Sequence, residues 1–344
     1  MIRRISIDKL IKFGVSFMTK RGVSEDHALY TSCIIVETEA FRQSTHGLAQ
    51  YTFLNGALGK TIDPQAEPVI ISRHGASALV DGAGSIGHIA VKLAREIAIE
   101  TARMQGTAFV AVRNTEWIGA LGMHLIPIAE EGLLCQAWAQ SNTCKDCAPF
   151  GGIDPRFSTN PIALAFPADG NPVIADFSTA TMSLSSALAL IQDGETTAIP
   201  RFLNNAGIPG NDPSVMKQDG TLMFMGGDID GHKGYALSLF NEALTVLAGG
   251  SANNPDARPS QSFLLMVLDP SAFGGTDYYY KEMRRFLGHV KSSRVRPTSE
   301  KIRLPGERGF AFLADCRKNG VPLDDSKIDL LQKIAEENEI DMIE

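Results

Sequence analysis

A chain of 344 residues, 44% hydrophobic and 21% charged, has enough apolar material for a sizeable core and the balance of an ordinary soluble globular protein. Its formal net charge of −7 offers no general attraction to nucleic acid or an anionic membrane, so neither is expected as a partner. No apolar run approaches the roughly 20 residues that span a bilayer. Met1–Gly22 lacks the apolar stretch and small-residue cleavage site of a secretory signal, so a cytoplasmic protein is expected.

From Ile7 to about Leu58 the apolar spacing predicts helices, one opened by Ser24-Glu25-Asp26-His27, a capping serine followed by acids. Pro64 and Pro68 predict an exit into an extended segment over Val69–Gly82, and then a long helix from about Ile89 to Met104 that Gly106 stops. Short β-rich runs follow at Thr107–Val112, Leu133–Ala139, Ile162–Phe166 and Pro172–Asp176, with a small-residue helix over Met182–Leu190. Asp193–Asp230, rich in Gly, Pro and Asn, is expected to be mostly loop. Gly234–Ala248 reads as a helix, Ser262–Leu268 as a strand, Tyr278–Lys291 as a helix and the tail from about Ser326 as another. Alternating strands and helices, with helical material at both ends, predict an α/β core.

Five cysteines, Cys33, Cys135, Cys144, Cys147 and Cys316, are too few and too odd in number for a disulfide framework. Cys144 and Cys147 form a C-x-x-C, yet no second ligand pair stands at zinc spacing. Pro149 and Gly151-Gly152 follow at once, where a redox dithiol would start a helix, so the pair is read as structural or incidental and no metal is expected. Gly82, Gly84 and Gly87 spell G-x-G-x-x-G between a strand run and a helix, the layout of a dinucleotide-binding turn. That mechanism expects an acid about 20 residues on, and here the next strand ends in Arg113-Asn114. Glycines also serve a tight turn into a helix, which is the preferred reading; a phosphate cradle is the other.

Stronger motifs lie elsewhere. Ser44-Thr45-His46-Gly47-Leu48 is similar to the Ser-His-Gly-Val motif of the second type of malate/L-lactate dehydrogenase, with Thr45 at the motif's serine. Further matches follow in that family's order: VAVRN at 110–114, SNT…APFGG at 141–152, STNPIALAFP at 158–167, VIADFSTA at 173–180, GHKGYALSL at 231–239 and RLPGE at 303–307. The family includes ureidoglycolate dehydrogenase, 2,3-diketo-L-gulonate reductase, Δ1-piperideine-2-carboxylate reductase and sulfolactate dehydrogenase, and the resemblance runs over nearly the whole chain.

The resemblance implies a non-Rossmann, two-domain α/β oxidoreductase, usually a homodimer, acting on a small-molecule substrate. A helical substrate and dimer domain would be built from residues 1–75 and 285–344, and an α/β nicotinamide-binding domain from 76–284. It places NAD or NADP against Thr143, against Asp176, Phe177, Ser178, Thr179 and Ala180, against His232 and Lys233, and against Gly306, Glu307 and Arg308. Lys233 and Arg308 would supply positive charge to phosphate, and the Ser178 and Thr179 hydroxyls would donate to phosphate oxygens. Lys233 lies in a glycine-flanked segment where a backbone can approach a ligand; its other reading is a solvated lysine.

Hydride transfer to a carbonyl leaves an alkoxide that needs a proton, and a histidine pKa near working pH suits the task. The resemblance assigns it to His46. Two positions depart from the family on the substrate side. Gln50 stands where relatives often carry a carboxylate-clamping arginine, and a neutral amide lacks that charge. Trp117 stands at the histidine of Asn-x-x-His-Phe-Gly, as either an apolar wall or plain core packing. Arg42 either replaces the missing charge or is a solvated helix residue, and Thr159 either contacts substrate or shapes its turn. The expected function is NAD(P)-dependent interconversion of a 2-oxo acid, or a related carbonyl or cyclic imine, with its 2-hydroxy or amino acid. The alternative is a catalytically lapsed cofactor-binding or interaction protein.

Overall fold

The computed structural model describes residues 2–342. The chain opens with strand β1 (Arg3–Ile5) and helices α1 (Ile7–Lys20), α2 (Glu25–Ala40) and α3 (Gln50–Ala57). Ser24 caps α2 as its sequence predicts, its hydroxyl accepting from the His27 amide at 3.4 Å. Strands β2 (Val69–His74) and β3 (Ser77–Asp81) lead into α4 (Gly87–Gln105), which ends on Gly106 in the left-handed region. There follow β4 (Thr107–Thr115), α5 (Leu121–Glu130), β5 (Leu134–Ser141), β6 (Ile162–Phe166), β7 (Val173–Phe177) and α6 (Leu184–Asp193). After the short strands β8 (Phe202–Leu203), β9 (Pro209–Gly210) and β10 (Thr221–Leu222) come α7 (Gly227–Thr245), β11 (Gln261–Leu268) and α8 (Thr276–Lys291). The chain closes with α9 (Glu307–Asn319), β12 (Val321–Leu323) and α10 (Asp325–Asn338).

The main sheet has seven strands in the order β2-β3-β4-β11-β5-β6-β7. Its one parallel pair is β3 with β4, joined through α4; the remaining neighbours run antiparallel. Period-two alternation sorts the strands' side chains between two faces. Val110, Val112, Phe263 and Leu265 face α4 and α5 in the main core, whereas Ala111 and Leu264 pack with Ala248 and Leu244 on the opposite face. The main core also takes in Leu10, Phe17, Ile35, Tyr51, Phe310 and Leu331, so helices from both chain ends share it with the sheet. Each such large apolar side chain contributes about 1.5–3 kcal/mol by leaving water. Strand β1 pairs antiparallel with β12, Arg3 opposite Leu323, and joins the two ends of the chain. Three-residue strands carry too little pattern to be seen beforehand.

The segment expected to be mostly loop holds a small sheet of order β10-β8-β9. It surrounds a second core of Cys147, Phe157, Ala180, Ala187, Phe202, Leu222 and Phe224. Helix α7 begins at Gly227 and not at Gly234. Its glycine-rich first turns have poor intrinsic propensity, and tertiary packing overrides it. A Cβ on Gly234 would lie 2.6 Å from the Met225 amide nitrogen and 2.7 Å from the Thr179 carbonyl oxygen. Among the described residues, no helix is long and apolar enough to cross a membrane.

Candidate active site

His46 closes a short 3-10 turn, Ser44–His46, that follows α2. Three contacts hold that turn. The Leu48 amide donates to Glu39 Oε2 at 3.1 Å, and the other oxygen of this buried carboxylate pairs with Lys327 of α10. Gly47 lies so close to α2 that a Cβ there would sit 2.4 Å from Glu39 Oε2 and 2.9 Å from Glu39 Cα, which explains a glycine after the histidine. Gln50 Nε2 donates to the Thr45 carbonyl at 2.5 Å. The Thr45 hydroxyl stands 3.1 Å from His46 Nδ1, leaving Nε2 for another partner. Burial lowers the His46 pKa, so the imidazole is neutral near pH 7.

Beside this turn lies a cleft of about 330 Å³, lined among others by Arg42, Gln43, Asp176, Phe177, Gly306 and Arg308. Five residues named from the sequence meet here from three distant parts of the chain. Gln43 links cleft to turn: its carbonyl accepts from the His46 amide at 2.9 Å, and its side chain hydrogen-bonds Asp176. Asp176 Oδ2 also accepts from the Gly122 amide at 2.8 Å, at the start of α5. Burial pushes its carboxyl up to about 6, against those two hydrogen bonds. Gly306 has φ +89 and precedes α9; a Cβ there would meet Ile174 Cγ2 at 2.5 Å. Among the described residues neither Arg308 nor Arg42 forms an ion pair, and Arg42, at φ +68, sets its guanidinium 5.1 Å from the Phe312 ring. Two guanidiniums outside any ion pair therefore line one cleft with the single carboxyl of Asp176, a balance that suits an anion.

Other named residues lie elsewhere or are otherwise engaged. The Ser178 and Thr179 hydroxyls, expected to donate to phosphate, both donate to the Thr159 carbonyl, at 3.0 and 2.9 Å. Their protons are thus committed to the turn, and Thr179 is fully buried. The Thr159 amide donates to Asp146, a carboxyl that burial raises to about 6. Ala180 lies in the second core, and Thr143 is half-exposed just after β5. Lys233 projects from α7 into solvent and pairs with Asp230 at 2.7 Å, while His232 meets Phe150 with ring centroids 5.7 Å apart. The glycines around Lys233 are required by Phe150, Met225 and Thr179, the protein's own atoms, and not by a free approach to a ligand. Glu307 pairs with Lys291 and accepts from the Leu304 amide at 3.2 Å.

The glycine turn is filled by the chain itself. The amides of Gly82, Gly84 and Gly87 donate to the carbonyls of Arg113, Asn114 and Glu116 at 2.8, 2.8 and 2.6 Å. Those of Ala83 and Ser85 donate to Asp81 Oδ1 and the Gly82 carbonyl. A Cβ on Gly82 would lie 2.8 Å from Thr115 Cβ. These amides, which a phosphate cradle would need free, are spent on fastening α4 to the end of β4.

Trp117, 9% exposed and at φ +43, stands against Phe53 with ring centroids 6.0 Å apart. Cys147 is fully buried in the second core, and burial raises its thiol well above the ordinary range and that of Cys144 to about 11. Sequence reasoning missed Glu39, Gln43 and Phe53. An acid inside the apolar run of α2 was the visible signal for Glu39; nothing marked Gln43, whose role depends on a strand 130 residues away.

Residues 5–332 match the family described as Malate/L-lactate dehydrogenase. The malate dehydrogenase of Pyrococcus abyssi is 29% identical over 342 residues, covering 96% of this chain and 94% of that protein. The Delta(1)-pyrroline-2-carboxylate/Delta(1)-piperideine-2-carboxylate reductase of Pseudomonas syringae pv. tomato is also 29% identical, covering 96% of each chain. The solved malate dehydrogenase of Pyrococcus horikoshii OT3 superposes with a TM-score of 0.89 at 26% identity, covering 99% of this chain and 97% of the other. The match spans both chain ends and the sheet between them, so this chain belongs to the malate/L-lactate dehydrogenase family.

Proposed function

We propose that the protein is a nicotinamide-dependent oxidoreductase. It interconverts a 2-oxo acid, or a related carbonyl or cyclic imine, with its 2-hydroxy or amino acid, and His46 moves the proton. The observation that carries this reading is the shared turn: Arg42 and Gln43 line the two-guanidinium cleft, and His46, neutral and half-buried, follows three residues later. Malate and Δ1-piperideine-2-carboxylate, named for the relatives above, both carry a carboxylate on the carbon that changes oxidation state.

The cofactor of this reading is NAD or NADP, and when bound its nicotinamide supplies or accepts the hydride. Arg308, with Arg42, offers charge to phosphate; Gly306 lets the backbone come close; Phe177, 36% exposed, offers a ring face. Thr143, Ser178, His232 and Lys233 are further proposed contacts. The committed amides at Gly82–Gly87 favour this cleft over the glycine turn. His46 Nε2 holds the proton at the reacting oxygen or nitrogen, with Thr45 orienting the ring through Nδ1. We also propose that residues 1–75 with 285–344 and residues 76–284 act as substrate and cofactor domains of a homodimer. Leu237, Phe240 and Leu247 on and just after α7, at 39, 70 and 66% exposure, support an apolar contact face.

The test is oxidation of NADH and NADPH with a series of 2-oxo acids and cyclic imines. His46→Asn is expected to lower kcat about 100-fold or more, with cofactor Kd, read from nucleotide fluorescence, within about threefold of the parent. Undiminished turnover in that variant overturns the assignment, and no turnover of any compound by the parent favours a lapsed enzyme.

A further inference from the structure

Beside the proton-transfer turn, Phe53 and Trp117 form an apolar wall, and we infer that it selects 2-oxo acids with a bulky apolar or aromatic side chain over those with a second negative charge. This rests on the reading of His46 as the proton carrier.

Gln50 and Phe53 lie three residues apart in α3 and so share one face of that helix. Gln50 is anchored at the turn, since its Nε2 donates to the Thr45 carbonyl next to His46. Phe53 therefore stands one helical turn beyond that anchor, 40% exposed, a large aromatic surface facing water. Its ring is tilted 49° to Trp117.

The indole is held rigidly. Trp117 has the left-handed φ of +43, costly for a bulky residue. Its neighbours impose it: the Gly87 amide donates to the Glu116 carbonyl at 2.6 Å, and the Ile118 amide donates to Gln261 Oε1 at 2.8 Å. A Cβ on Gly87 would lie 2.6 Å from the Trp117 carbonyl oxygen. Against the indole lies His88, its ring tilted by 57° with centroids 4.6 Å apart, and His124 lies 5.3 Å from His88, both buried. Among the described residues neither nitrogen of His88 has a hydrogen-bond partner, nor has His124 Nδ1. Desolvation favours the neutral form of both rings. The two imidazoles against the wall thus carry no charge.

A second carboxylate placed here meets two aromatic rings and, from Gln50, a neutral amide with one of its two N–H donors held by the Thr45 carbonyl. It gains at most one neutral hydrogen bond and no opposite charge, and it loses its hydration. An isobutyl or benzyl group on the same carbon covers the exposed ring of Phe53 and gains contact with both aromatics. Arg42 does not change this balance, because in the reading above its charge serves the cofactor phosphate in the cleft.

The experiment measures kcat/KM for pyruvate, 4-methyl-2-oxopentanoate, phenylpyruvate and oxaloacetate, with NADH and NADPH in parallel. The bulky apolar acids are expected to exceed both pyruvate and oxaloacetate by about tenfold or more. Phe53→Ala, a surface change, and Trp117→Ala should each collapse the ratio of phenylpyruvate to pyruvate, and Trp117→Phe should retain most of it. A ratio near one, or oxaloacetate first, with turnover still lost in His46→Asn, overturns the inference alone. No turnover of any acid overturns the inference, and turnover that survives His46→Asn overturns the underlying reading together with it.

Discussion

Glu39 and Lys327 form an ion pair between the second helix and the last one, and the second oxygen of Glu39 holds the amide of Leu48, two residues after His46. The carboxylate is 4% exposed, the lysine side chain 24%. The carboxy-terminal helix thereby reaches the proton-transfer turn through one side chain.

Removing the lysine strands a buried charge, which in fully buried pairs costs about 3–5 kcal/mol and less where water still reaches one partner. Lys327→Met is expected to lower stability by about 2 kcal/mol and to reduce kcat while cofactor Kd changes little. Lys327→Arg should recover most of both. Thermal unfolding with steady-state kinetics checks this; a Lys327→Met enzyme with the parent's Tm and kcat counts against any role for the pair.

His124 is buried, and desolvation lowers its pKa to about 4. Between about 4 and the ordinary value near 6.5, the unfolded chain binds a proton that the folded chain refuses. Stability is therefore kept above the unfolded pKa and lost as pH falls through this window, by about 3 kcal/mol in all. Asp146 and Asp176, raised to about 6, act in the opposite sense, losing stability as pH rises toward and through 6. The histidine's share is the difference between the parent and His124→Gln in urea unfolding from pH 4.5 to 7. The parent's stability relative to the variant should rise with pH across this range; if the difference is the same at every pH, the ring is not held neutral by the fold.

Cofactor affinity separates the cleft from the glycine turn. Arg308→Ala is expected to raise Kd for NADH or NADPH about tenfold, in keeping with loss of a charge-assisted contact. Gly84→Ala should leave Kd within about twofold and cost about 1 kcal/mol through its φ of +77. The reverse order of sensitivity would move the cofactor to residues 82–87.

Phe240, 70% exposed on α7, is a large apolar side chain in water. If this face joins two copies, the chain should elute at twice its mass in light-scattering chromatography, and Phe240→Glu should shift it toward a monomer. A monomeric parent ends the homodimer proposal.

The ordered motifs were readable without coordinates because they are local. The glycine of the histidine turn depends on Glu39 in the helix just before it, and a capping serine before α2 and the glycine that ends α4 depend on neighbours within a few residues. So do apolar runs of period two, and the glycine turn could be demoted because no acid followed at the right distance. What stayed hidden depends on partners far along the chain. The early start of α7 comes from Phe150, Met225 and Thr179 accepting glycines that alone would break a helix. The engagement of the Ser178 and Thr179 hydroxyls comes from the Thr159 carbonyl on another loop. The meeting of Arg42, Asp176 and Arg308 needs the seven-stranded sheet and the joined chain ends. Propensity and motif follow from a few adjacent residues, whereas burial, charge compensation and cleft shape are properties of the closed core, and only the folded chain decides them.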